Sequence, residues 1–62
     1  MNDKYKEQCN EMLEALVGKD NVMKWWAAPN KAFSDRTPFL QFELDPNIVR
    51  DYLIWHAYCA GG

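Results

Sequence analysis

Three prolines and a glycine divide this chain more severely than anything else in its sequence. Gly18, Pro29, Pro38 and Pro46 follow one another at intervals of eleven, nine and eight residues. Proline lacks a backbone N–H and restricts the residue before it, so it begins helices and ends preceding ones. Glycine leaves the right-handed region without a steric cost and commonly stops a helix. Only the segments before Gly18 and after Pro46 therefore have room for about four turns of 3.6 residues.

Within that partition the apolar spacing is helical. Tyr5, Cys9, Met12, Leu13, Leu16 and Val17 recur three and four residues apart, the stripe of an amphipathic helix. Asn2 or Asp3 can cap its start, and Gly18 stands where a left-handed terminator belongs. Asp20 or Asn21 can cap a second, short helix, "NVMKWWAA", which Pro29 ends at Ala28. Asn30, Ser34 and Asp35 are turn formers in the loop that follows. Thr37-Pro38 and Asp45-Pro46 each pair a capping residue with the residue best tolerated in a first turn. They start a third helix reaching about Leu44, with Phe39, Leu40 and Phe42 as its apolar content. A fourth helix runs to about Ala60, with Gly61 and Gly62 ending it. These signals predict an all-α fold: one domain, residues 1–62, built as a small bundle of about four short helices.

A chain of 62 residues hides only about 60% of its unfolded surface, so its core needs reinforcement. Cys9 and Cys59 lie in no disulfide-framework spacing, and His56 is the sole histidine, with no Cys-x-x-Cys beside it. The expectation is therefore no metal and no cofactor. What remains is aromatic packing, from three Trp, three Tyr and three Phe, and association. No apolar run approaches the roughly 18–20 residues of a membrane span, and "MNDKYKEQ" is too polar for a signal peptide. A cytoplasmic protein is expected.

The charge pattern excludes little by itself. The formal net charge is −2, which gives no general polyanion-binding surface. Lys19, Lys24, Lys31 and Arg36 make residues 19–36 mildly basic against Asp20 and Asp35. A duplex reader built here would enter a groove with Phe39, Leu40 and Phe42, which suit a core better than base edges. Nucleic-acid binding is the third-ranked reading. Glu7, Glu11 and Glu14 share the outer face of the first helix, a wet surface or a contact for a basic partner.

Catalytic constellations are scarce. His56 and Cys59 stand three apart on one helix side, but no third group orients them and packing explains the spacing. There is no glycine-rich phosphate loop. The expectation is that the chain is not an enzyme. The odd composition lies at the end: "YLIWHAYCA" carries no formally charged residue on any face unless His56 is protonated. A helix apolar all round is normally surrounded, and so small a globule has little to surround it with. Either the aromatic tips reach water, or Ile54, Trp55 and Tyr58 form a patch that meets another chain. Trp25 and Trp26 point about 100° apart on a helix, so one faces inward and the other the rim.

The stretch from Trp25 to Phe39, "WWAAPNKAFSDRTPF", resembles the signature of the Xre/MbcA/ParS-type toxin-binding domain. That pattern has a Trp and an apolar residue, a Pro-Asn pair, Ala-Leu-Gly-Gly, then a proline opening an apolar helix. Trp25, Trp26, Pro29-Asn30, Ala32-Phe33 and Pro38 stand at those places, and Ser34-Asp35 stand where the pattern has Gly-Gly. The resemblance implies an all-helical module that neutralises a toxin enzyme, commonly of the NAD-consuming RES type. It implies that Trp25 fixes the short helix into the core, that Pro29-Asn30 turn the chain so Phe33 folds back on that tryptophan, and that Pro38 starts the next helix. It implies too that the carboxyl end, including Gly61 and Gly62, approaches the toxin. The stiff loop then offers Lys31 and Arg36 as a recognition edge. The expectation is a stand-alone module without the DNA-binding half, self-associating as a homo-oligomer. The alternative is a small inhibitor or adaptor, encoded by a mobile element, for a different host protein.

Overall fold

A computed structural model describes residues 3–59. Met1, Asn2, Ala60, Gly61 and Gly62, and with them the expected Asn2 cap and the glycine end, lie outside the described residues. The fold is all-α. α1 (Asp3–Val17) fills the first segment up to Gly18. There φ is 91° and ψ 148°, a positive-φ conformation that favours glycine, although its ψ is extended, not that of the left-handed terminator expected. A 3₁₀ turn at Lys19–Asn21 leads into α2 (Val22–Ala27). Asn21, offered with Asp20 as the cap of α2, does stand at its N-cap position, but its side chain makes no cap bond there and reaches backwards. Its Nδ2 donates to the Val17 carbonyl at 2.9 Å and closes the end of α1, one of the orphan acceptors every helix leaves.

Pro29 ends α2 as expected, with Ala28 already extended at φ −96° and ψ 139°. The loop then folds on itself around Asn30. Its Oδ1 accepts from the Ala32 N–H at 2.9 Å, its carbonyl accepts from Phe33 and Asp35, and its N–H donates to the Arg36 carbonyl at 3.0 Å. A 3₁₀ turn, Lys31–Phe33, sits inside this ring. Thr37 caps α3 (Pro38–Leu44), its Oγ1 accepting from Leu40 N–H at 3.2 Å. Asp45 caps α4 (Pro46–Ile54), accepting from Asn47 N–H at 3.0 Å. Beyond Ile54 the helix widens into a π turn, Trp55–Cys59, where continuous α-helix was expected. Insertions of this kind recur at functional sites.

The core is a single cluster of Cys9, Met12, Leu13, Val22, Trp26, Phe33, Phe42, Val49 and Leu53. Trp26 is its centre and is fully buried. This corrects the placement the resemblance implied for Trp25, which is half-buried and lies against the cluster from outside. Phe33 does fold back on Trp25, edge to face at 6.3 Å, and Pro38 is buried. The physical reason for the exchange is a hydrogen bond: Trp26 Nε1 donates to Asn10 Oδ1 of α1 at 2.8 Å, so the buried indole leaves no orphan donor. Phe39 and Phe42 close on its ring at 5.3 and 5.6 Å. Lys6 lays its ammonium 4.5 Å from the Phe39 ring and 5.0 Å from that of Trp26, a cation–π cover for the pair. Leu40, expected in the core, is exposed, as are Leu44 and Ile48.

Candidate functional site

α4 is held to α1 at one end by a polar clasp. Arg50 Nε donates to Gln8 Oε1 at 3.0 Å, and its guanidinium lies 4.8 Å from the Tyr5 ring. Further along, Leu13, Leu16 and Val17 share a cleft of about 230 Å³ with Trp25, Tyr52, Leu53 and His56. The two helices therefore run in the same general direction. On their other side they diverge into an open groove of about 450 Å³. α1 lines it with Gln8, Glu11, Met12 and Ala15, and the last helix with Arg50, Ile54, Ala57 and Tyr58.

The last helical turns leave apolar surface uncovered, as do Met23, Leu40, Leu44 and Ile48 elsewhere. Trp55 is 56% and Tyr58 75% exposed, while Ile54 is half-buried in the groove wall. The fold surrounds this segment only in part, as its size led one to expect: Leu53 is buried, Tyr52, His56 and Ala57 are half-buried, and the aromatic tips of Trp55 and Tyr58 stand in water. An aromatic string fixes this end. Tyr52 stacks on Trp25 at 6.4 Å and meets Phe33 at 5.1 Å. His56 follows at 4.3 Å from Tyr52, and Trp55 at 5.1 Å from His56. Trp55 therefore belongs to a run of contacting rings that reaches Trp26 through Trp25, 5.3 Å away.

Of the residues the sequence proposed for partner contact, Ile54 and Tyr58 share the groove, and Trp55 is exposed without lining it. Lys31 and Arg36 are exposed on the α2–α3 loop and do not line the groove. Arg36 is partly engaged within the fold, its Nη1 donating to the buried Gln41 Oε1 at 3.4 Å. Gly61 and Gly62 lie outside the described residues. Sequence reasoning missed Glu11, Met12, Ala15 and Ala57 as groove residues, because their grouping depends on α1 lying beside α4. The acidic spacing on α1 was the one signal available for it.

Among the described residues no hydrogen bond joins His56 to Cys59, and His56 is taken up by the Tyr52 and Trp55 rings. Cys9 is buried in the core and Cys59 is exposed, both as free thiols. Burial pushes the Cys9 thiol from 9.0 up to about 11, against the opposing pull of the Arg50 and Lys6 charges, which makes it inert as a nucleophile at neutral pH. Among the described residues no group of three or more His, Cys, Asp or Glu is placed to hold a metal ion, and no helix is long and apolar enough to cross a membrane. Compared with known protein families, curated proteins and solved structures, the chain matches none of them.

The α2–α3 loop bears on the resemblance of the Trp25–Phe39 stretch. Ser34 and Asp35 both hold positive φ, 58° and 65°, and Ser34 is left-handed helical with ψ 41°. These are the two positions at which the resembled pattern carries Gly-Gly. The backbone here adopts the conformation glycine favours despite its side chains.

Proposed function

We propose that this chain works by binding another protein through its last helical turns, in the manner of an antitoxin-like module that inhibits a toxin enzyme, with a RES-type enzyme as the expected target. The observation that carries the reading is the exposure of Trp55 and Tyr58, 56% and 75%, on an end with no formally charged side chain from Tyr52 to Cys59 unless His56 is protonated. Aromatic side chains of this kind, held rigid by neighbours and left half in water, are the usual anchors of protein interfaces. Trp55 meets the His56 ring edge to face at 5.1 Å, a contact that limits the side-chain freedom lost when it docks. The Trp25–Phe39 resemblance and the left-handed pair at Ser34 and Asp35 support the antitoxin form of the reading.

Removing the chain from Tyr58 onward tests it. The truncated protein is expected to keep its helicity and lose inhibition of NAD consumption by the co-produced toxin; full inhibition by the truncated form would remove the carboxyl end from the account. A bound protein that is not a toxin enzyme, identified by mass spectrometry after co-purification, would favour the adaptor or inhibitor alternative. Self-association, through the exposed Met23, Leu40, Leu44 and Ile48, is expected to show as a mass that falls on dilution in light scattering.

A further inference from the structure

We draw no further inference here: the strongest candidate, the open apolar groove between α1 and α4 with one acid, Glu11, and one base, Arg50, on its walls, carries nothing, because no feature of the structure shows what covers it.

Discussion

Trp26 Nε1 and Asn10 Oδ1, sixteen residues apart in sequence, are joined by a 2.8 Å hydrogen bond that ties α2 to α1. It lets the largest side chain in the protein be fully buried without stranding its N–H. Replacing Asn10 by Leu keeps the volume but leaves that donor unpaired, with an expected loss of about 1–3 kcal/mol. Trp26→Ala removes the centre of the core and costs about 3–5 kcal/mol, enough to unfold a chain this small. Trp25→Ala, at a half-buried position, costs clearly less. Urea melts followed by circular dichroism rank the three; a Trp25 loss equal to that of Trp26 would contradict the assignment of the core.

Ser34 and Asp35 hold left-handed backbone at φ 58° and 65°, where a Cβ costs about 1–2 kcal/mol per residue. Glycine removes that strain but adds chain entropy to the unfolded state. The net expectation for Ser34→Gly, and separately for Asp35→Gly, is a gain of about 0.5–1 kcal/mol, read as a raised urea midpoint. A loss on both substitutions would mean that the loop is held by side-chain interactions.

The buried thiol of Cys9 predicts an alkaline weakness. Above pH 9 the unfolded thiol ionises, while the folded one stays neutral until about 11. The unfolded state therefore binds fewer protons across that window, and stability falls as pH rises, by about 3 kcal/mol at most. Tyrosines and lysines titrate in the same range, so the comparison is with Cys9→Ala, whose stability is expected to decline less between pH 9 and 11. Thiol labelling at pH 7 gives an independent check: Cys59 reacts at once, and Cys9 only at the rate of unfolding. Rapid labelling of both would contradict the burial.

The helix starts were legible in the sequence because capping is local chemistry. Thr37-Pro38 and Asp45-Pro46 announce α3 and α4 within two residues each, and their hydroxyl and carboxylate accept the bonds expected of them. Asn21 stands at the α2 N-cap as one of the two residues offered, but its side chain serves α1, because a cap can serve either neighbour and only the distance to the Val17 carbonyl decides which. The choice between Trp25 and Trp26 depended on where α1 presents Asn10. The left-handed pair was hidden because Ser and Asp are ordinary turn residues with no obligation to positive φ. The groove was hidden for the same reason as the Arg50–Gln8 clasp: both join residues about forty positions apart, which no local pattern encodes. The uncovered carboxyl end was legible as a composition, although not as a shape.

The most direct test of protein binding through that end is co-purification from producing cells of the parent and of W55S/Y58S, with eluates compared for the same bound protein. Both side chains are exposed, so the variant is expected to melt within a few degrees of the parent while losing the partner. A variant that stays folded and retains the partner in the parent's proportion would contradict the claim.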